Sequence, residues 1–510
     1  MKTINFIILG LFVSLSAMTA EYDEELFVRK CFAQLTNSRI SVDSEYLARA
    51  KQGESASDIC MDILNRASFT DNGAIAIEER NSVGQKVLQN MHSLHTSFFS
   101  TSDYELFSVN NTRATKSYMD STQPAFYITK ALFSDESYAN AITSKQTLKA
   151  QRKDQDPAYL IWREYGYKDE RCLVDQTKDD CGWYLPKVMN PNMPVNKRVS
   201  GTSKCSTDDS AQECDRFRSD YFVEPYAPRG PLYGFMDHPG VNVPYYNRQS
   251  QHGPEASRYI SEHKDLNKNL GAGMIGDQVF IFATHLMNDE GVKANGAGIV
   301  SRTWAKTVYE DVLCRQMPAL RNEDVEFQLT NTEGSSAFRW ANTCLRCHVG
   351  MDQTAGYIRN LQFLLSMPQN NGNSSIIGSR LRPWEISSVK SWSETTDSTW
   401  YKQEPIGRLY YRDYNGKLVH KTGSGIESLA EQIAETDDYY ICAAKNYYKH
   451  FMNVDVALPD PGKAGYVEDE SGHRAELIRL GLEFKKHKSL KKLVESIFKS
   501  KFYYTGTGEE

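Results

Sequence analysis

Residues 343–351 read TCLRCHVGM, with two cysteines three positions apart and a histidine directly after the second. C-x-x-C-H is the attachment sequence of c-type haem. Two thiols on one helical turn can form thioethers with the two vinyl groups of the ring, and the next residue then lies under the iron. The spacing therefore predicts one covalent haem c on Cys344 and Cys347, with His348 as the proximal iron ligand.

Three alternatives to haem attachment exist for the same pair of cysteines. A zinc knuckle needs a second Cys or His pair at suitable spacing, and the chain has no second C-x-x-C and no H-x3–5-H. A thioredoxin-like dithiol lies at a helix N-terminus within a βαβ pattern, which this stretch lacks. A plain disulfide between Cys344 and Cys347 stays open, although a bridge between adjacent turns is strained.

The sequence offers several candidates for the second axial ligand of the iron. Met351 is too close to His348 to reach the opposite face of the ring, and no methionine occurs between Met367 and Met452. Met367 is the first candidate because it lies in the same module. The alternatives are Met287, Met452 and His285. An open position would instead permit ligand binding or peroxide chemistry.

The N-terminus predicts export. It reads MKTINFIILGLFVSLSAMTAEYDEE, with Lys2 before an apolar run, small residues near Ala20 and acidic residues from Glu21 onward. This order is typical of a secretory signal peptide over 1–20. An uncleaved anchor is the alternative, but the run is shorter than the roughly 20 residues of a membrane span. We expect an exported protein, in the bacterial periplasm or at the outer cell surface, without a transmembrane span after cleavage.

Export also gives a meaning to the ten cysteines. Thiols without another use tend to pair in an oxidising compartment. CLVDQTKDDC and CSTDDSAQEC each enclose a short polar loop, which favours two local bridges, and elimination leaves two more pairs. The four hypothetical disulfides are Cys172–Cys181, Cys205–Cys214, Cys31–Cys60 and Cys314–Cys442. Sequence alone does not determine this connectivity.

Composition limits the class of partner. The 510 residues are 40% hydrophobic and 24% charged, enough for about two to four domains. The formal net charge is -6, with both signs mixed along the chain. A nucleic-acid-binding protein needs a clustered excess of lysine and arginine. We therefore expect no nucleic acid partner.

Three further patterns have both a functional and a structural interpretation. His92 and His95 are half of a metal site or two histidines beside the apolar stripe of a helix over residues 83–98. LGAGMIG contains G-x-G-x-x-G, but a polar lead-in replaces the strand that a dinucleotide site needs, so a glycine-rich turn is favoured. The lysines of residues 485–492 indicate a docking patch for an acidic partner or, more commonly, a solvated helix face.

The surroundings of the motif resemble a known family. CLRCHVGMDQTAG resembles the haem segment of planctomycete-type exported cytochromes, whose pattern is CxxCHxxxDPxG. The module before that segment is similar to GAGMIGDQVF and SRTWAKTVYEDVLCRQMP. The hairpin and helix after it are similar to DYNGKLVHKTGSGIESLAEQI. The family's C-terminal helical module is similar to DYYICAAKNYYKHF followed by LIRLGLEFKKHKSLKKLVESIFKSKFY. Gln353 replaces the family's proline, and its glycine comes one residue late, at Gly356. The resemblance implies a mono-haem exported protein and leaves its activity open.

The predicted fold class is mainly α, a multi-module helical protein with a cytochrome-c-like haem module and an irregular disulfide-stapled insertion. Helical stretches are expected over 301–316, 426–451 and 473–499. The predicted segments are 1–20 (signal peptide), 21–164 (N-terminal helical domain), 165–255 (Pro/Tyr/Cys-rich insertion), 256–368 (haem-binding module), 369–405 (linker) and 406–510 (C-terminal helical module).

The predicted function is one-electron transfer to or from a periplasmic redox protein. One alternative is a haem enzyme with an open iron, peroxidase-like, although di-haem peroxidases carry two C-x-x-C-H motifs and this chain has one. The other is a disulfide-stapled surface binding protein in which haem is structural or sensory, which the large insertion favours.

Overall fold

The computed structural model describes residues 23–69, 82–99, 122–152, 162–163, 220–221, 232–237, 269–284, 299–329, 340–359, 361–366, 369–370, 373–374, 378–383, 404–463 and 465–505. Helices make up 59% and strands 8% of this part, which confirms a mostly helical chain there. The predicted signal peptide, and most of the predicted insertion and linker, lie outside the described residues.

The described residues between Asp23 and Arg152 form six helices. The first begins at Asp23, whose carboxylate accepts a hydrogen bond from Leu26 N at 3.1 Å, and ends at Asn37 in the left-handed conformation. The predicted disulfide Cys31–Cys60 is present and joins the first helix to the third. The six helices are α1 Glu24–Thr36, α2 Glu45–Lys51, α3 Ala56–Asn65, α4 Val83–Thr96, α5 Gln123–Phe133 and α6 Asn140–Thr143.

The described strands pair in antiparallel, two-stranded sheets. The longest hairpin pairs Ile406 with Ser424 and Arg412 with Leu418 at its two ends. Gly416 in its turn has a φ of 77°, which glycine adopts most easily. The strands are β1 Leu148–Arg152, β2 Trp162–Arg163, β3 Asp220–Tyr221, β4 Leu232–Asp237, β5 Leu361–Ser366, β6 Gln369–Asn370, β7 Asn373–Ser374, β8 Gly378–Pro383, β9 Ile406–Arg412 and β10 Leu418–Ser424.

The middle of the chain contains the helix expected over 301–316, but in two forms. An α-helix over Ile299–Thr307 continues as a π-helix over Val308–Val312, and Cys314, at a φ of 51°, turns the chain away. Cys314 is bonded to Cys442, as predicted. The α-helices here are α7 Gly273–Gly276, α8 Gln278–Ala283, α9 Ile299–Thr307 and α10 Asn342–Ala355, and 3-10 turns cover Glu326–Gln328 and Gly356–Ile358.

Each of the two helices expected near the C-terminus is interrupted. Thr436 Oγ1 accepts a hydrogen bond from Tyr439 N and starts a new helix after Ala434. Lys488, at a φ of 55°, ends the later helix, and Ser489 caps the next. Local capping therefore divides runs that have one continuous apolar pattern. The helices are α11 Gly425–Ala434, α12 Asp437–Met452, α13 His473–His487, α14 Leu490–Phe498 and α15 Lys501–Thr505.

One core cluster joins the N-terminal, middle and C-terminal parts of the described chain. Tyr138, near α6, stacks on Tyr439 of α12 with ring centroids 4.7 Å apart. Phe27 of α1 lies edge-on to Phe498 of α14 at 6.2 Å. Both α9 and β9 contribute buried residues to this cluster, and both contact the C-x-x-C-H helix. The predicted module boundaries stay predictions.

Candidate functional site

The C-x-x-C-H sequence lies in the first half of α10. The helix begins after Ala341, which is extended, and ends at Gly356. Since residues three and four apart share a helix face, Cys344, Cys347 and His348 project on the same side. Cys344 is exposed and Cys347 partly buried, and both thiols are free. The helix therefore presents two thiols and one imidazole together.

The opposite face of α10 is packed against the β9–β10 hairpin. Leu345 and Val349 are buried. They form a small cluster with Tyr410 of β9 and with Leu320 and Val325, which precede α10 in the chain. Burying two such side chains stabilises the contact by a few kcal/mol, at about 1.5–3 kcal/mol each. The packing fixes which face of the helix carries the cysteines.

A buried hydroxyl pair adds a polar anchor to the same helix. Tyr309 Oη lies 2.6 Å from Thr354 Oγ1, and Thr354 Oγ1 donates to the carbonyl oxygen of Arg408 at 3.1 Å. Either hydroxyl of this pair can donate to the other, and the Tyr309 hydroxyl also accepts from Tyr410 N at 3.3 Å. Both side chains are fully buried. Because buried hydroxyls need such partners, this chain of bonds specifies how α10 sits on β9.

An ion pair lies beside the imidazole. Arg302 of α9 donates through Nε to Asp352 Oδ1, and through Nη2 to Oδ2 at 2.9 Å. Asp352 follows His348 by four residues, so the pair is next to the ring. Burial, followed by the charge of Arg302, lowers the pKa of His348, while Asp352 opposes the shift. The lowered pKa favours the neutral imidazole, the form that binds a metal.

Burial shifts the pKa of the Cys347 thiol in the opposite direction from that of the imidazole. Burial raises the pKa of Cys347, and the positive charges of Arg346, Lys463 and Lys306 oppose this. Two free thiols on one turn, with an imidazole directly after the second, are the groups that covalent haem attachment uses. The residues present therefore fit the group. Cys344 and Cys347 would hold its two vinyl carbons, and His348 would hold its iron.

The candidates for the second axial ligand lie in different parts of the chain. Met367, Met287 and His285 lie outside the described residues. Met452, the last residue of α12, is partly buried against the main core. Met351 shares the cysteine face, one turn after His348, so it cannot reach the far side of a ring held there.

The other histidines singled out by the sequence are core residues. His92 lies within 3.1 Å of the hydroxyls of Thr129 and Thr122, and His95 within 2.8 Å of Thr129 and 2.6 Å of Tyr447. All four ring nitrogens therefore have hydroxyl partners. In the described part of the chain, no group of three or more His, Cys, Asp or Glu side chains is arranged to hold a metal ion.

The glycine-rich and lysine-rich segments also have structural roles. A Cβ on Gly273 would lie 2.2 Å from the carbonyl oxygen of Ala141, so the glycine permits a close approach of two backbones. Lys485 pairs with Asp437 at 2.6 Å and Lys491 with Asp135 at 3.0 Å. Two of the lysines thus hold the C-terminal helices to their neighbours.

Sequence reasoning missed the residues that orient α10. Asp352 occupies the position of the aspartate in the CxxCHxxxD pattern, so the sequence contained a signal for this residue. Arg302 lies 50 residues earlier and Tyr309 lies 45 residues before Thr354, with no pattern joining either to its partner. The predicted pairs Cys172–Cys181 and Cys205–Cys214 lie outside the described residues.

Comparisons with known proteins add no family to these observations. In the described part of the chain, no helix has the length and apolarity needed to cross a membrane. No family model, curated protein or solved structure matches the chain.

Proposed function

We propose that this chain is an exported c-type cytochrome that carries one haem on Cys344 and Cys347, with His348 as the proximal ligand, and transfers single electrons to or from a periplasmic redox protein. The observation that carries the proposal is the common face of α10, where two free thiols and a histidine follow each other at the attachment spacing. The resemblance to planctomycete-type exported cytochromes supports it.

The chain's own residues would orient and shield the group. Haem supplies an iron that changes oxidation state by one electron, at a potential set by its ligands, hydrogen bonds and exposure to water. Leu345 and Val349 hold α10 on β9, so the attachment face stays fixed. Asp352 holds Arg302 beside His348, which places a compensated charge pair near the iron ligand.

The proposed electron-transfer role needs two axial ligands. Met367 is the proposed second ligand, in a cytochrome-c-like module over 256–368. A six-coordinate iron changes its oxidation state without binding substrate, whereas an open iron binds small ligands. Spectra with cyanide and carbon monoxide therefore separate the two.

The test is a pyridine haemochrome spectrum and an intact mass of protein made in a host that attaches haem. We expect one covalent haem, an N-terminus near residue 21 and a spectrum that does not respond to carbon monoxide. Cys344→Ala and Cys347→Ala should each retain at most one thioether, while the neighbouring Thr343→Ala, as the control, retains two. A protein without covalent haem would overturn the proposal, and a high-spin, ligand-responsive spectrum would overturn electron transfer in favour of an open iron.

A further inference from the structure

Tyr411 and Asp438 form a buried hydrogen bond that plays no part in the proposed haem attachment. Tyr411 is fully buried, and its hydroxyl donates to Asp438 Oδ2 at 3.0 Å. Asp438 is 1% exposed, accepts from Tyr414 N at 3.0 Å and lies 3.3 Å from Arg315 Nε. These partners hold the carboxylate in one position against the phenol.

A carboxylate can accept a proton from a phenol, whereas a main-chain carbonyl oxygen cannot. Tyr439 and Tyr440 donate to main-chain carbonyl oxygens at 3.0 Å, which cannot take up a proton. Burial raises the pKa of Asp438 to about 6, with Arg315 opposing the shift. The carboxylate is therefore ionised at neutral pH, yet more basic than an exposed aspartate.

Tyr411 is linked to the C-x-x-C-H helix through one other buried ring. The rings of Tyr411 and Tyr309 meet edge-on with centroids 5.6 Å apart. The hydroxyl of Tyr309 bonds to Thr354 of α10 and lies 3.5 Å from the carbonyl oxygen of Gly350, two residues after His348. Side-chain contacts thus run from the candidate site to Tyr411 through the protein interior.

We propose that Tyr411 is an internal one-electron donor to the candidate haem site and that Asp438 receives its phenolic proton. The inference rests on the proposed function, because the oxidant is the attached haem after hydrogen peroxide has displaced its second axial ligand and oxidised it. In the step, the O–H bond of Tyr411 breaks, its proton moves to Asp438 Oδ2 and its electron passes to the oxidised haem. A neutral tyrosyl radical and a neutral carboxylic acid remain. The reaction draws a damaging oxidising equivalent away from α10 and Met351.

The first experiment mixes the haem-loaded protein, with ring-deuterated tyrosine, and hydrogen peroxide, and freezes it rapidly for electron paramagnetic resonance. We expect a tyrosyl signal that Tyr411→Phe abolishes, and a slower appearance in D2O because a proton moves. Tyr447→Phe is the matched control, since Tyr447 is also buried and its hydroxyl bonds to His95 at 2.6 Å. A signal that survives in Tyr411→Phe, or disappears in Tyr447→Phe, would overturn the assignment.

The second experiment separates this inference from haem attachment. A ruthenium tris-bipyridine photo-oxidant in solution removes one electron from the full chain, with or without haem. Tyr411 should again give the radical, and Asp438→Asn should reduce its yield and remove the D2O effect. An unchanged yield and D2O effect in Asp438→Asn would remove Asp438 from the step. If Asp438→Asn does not fold, because Arg315 then lacks its partner, Tyr411→Phe and the D2O effect still decide. Absence of haem would overturn the proposed function and the electron transfer to haem, and the photo-oxidation would then decide the Tyr411–Asp438 proton transfer by itself.

Discussion

Asp277 is a buried carboxylate whose hydrogen-bond donors are all neutral. Its Oδ2 accepts from Gln123 Nε2 and its Oδ1 from Val279 N, both at 2.8 Å. Burial is the first cause that raises its pKa, to about 7, and the hydrogen bonds oppose this. Gln123 Oε1, on the same amide, is buried without a hydrogen bond. At this site the neutral form of the carboxyl group is therefore more stable, relative to the charged form, than it is in water.

The pH dependence of stability follows from that shift. The folded-state pKa of about 7 exceeds the unfolded value of about 3.9. The contribution of Asp277 to stability is therefore fully present below about pH 4 and is lost as pH rises through 7. The free energy of unfolding of Asp277→Asn should exceed that of the native protein by about 1–2 kcal/mol at pH 5 and by about 3–4 kcal/mol at pH 8.

Chemical unfolding of both proteins at pH 5 and pH 8 measures this difference. An asparagine keeps the acceptor for Val279 N, and its amide can donate to Gln123 Oε1 once the glutamine amide turns over. Asp43→Asn is the control, because it removes an exposed carboxylate. Equal stability of Asp277→Asn and the native protein at pH 8 would show that the carboxylate is not destabilising there.

At the scale of elements, the contact of α10 with β9 depends on glycine. A Cβ on Gly356 would lie 2.5 Å from the carbonyl oxygen of Ile406 and 3.0 Å from Gly407 Cα. A Cβ on Gly350, six residues earlier in the helix, would lie 3.1 Å from the carbonyl oxygen of Tyr410. The backbones of helix and strand thus approach most closely where α10 ends.

Alanine at these two positions should destabilise the protein to different degrees. Gly356→Ala requires the backbone of β9 to move, at a cost of about 1–3 kcal/mol. Gly350→Ala needs only a few tenths of an ångström of adjustment and should cost less. Urea unfolding at constant pH gives both values. Helix propensity alone would make each alanine stabilising by about 0.5–1 kcal/mol, so a gain at Gly356→Ala would contradict the close contact.

At the scale of the whole molecule, the two disulfides in the described part of the chain close loops of very different length. Cys31 and Cys60 are 29 residues apart, within the N-terminal helices. Cys314 and Cys442 are 128 residues apart and join the chain after α9 to α12. Because a bridge stabilises mainly by restricting the unfolded chain, the longer loop should contribute more.

Removal of each bridge tests this order. The chain-entropy relation gives about 3.6 kcal/mol for the shorter loop and about 5 kcal/mol for the longer. The double variant Cys314→Ser with Cys442→Ser should therefore lose about 1 kcal/mol more than Cys31→Ser with Cys60→Ser. Unfolding by guanidinium chloride under non-reducing conditions measures both. A greater loss from the shorter loop would show that native-state packing around Cys31 and Cys60, which are fully buried, outweighs loop entropy.

The sequence by itself determined what local patterns can encode. The C-x-x-C-H spacing places its three side chains on one helix face, and the apolar stripe of residues 83–98 predicted the buried side of α4. Elimination among the cysteines predicted both of the observed bridges. The break at Thr436 escaped prediction, because the apolar pattern continues across it and only the capping geometry stops the helix.

The tertiary structure alone decided which distant side chains meet. Arg302 reaches Asp352, Tyr309 reaches Thr354, and Tyr411 reaches Asp438. His95 is buried in the core, where the hydroxyl of Tyr447, 352 residues later, supplies a hydrogen-bond partner for its ring. Polar side chains of these types also occur on any surface, so their identity carries no information on pairing. Burial supplies it: once packing excludes water, each polar group must find its partner inside the protein.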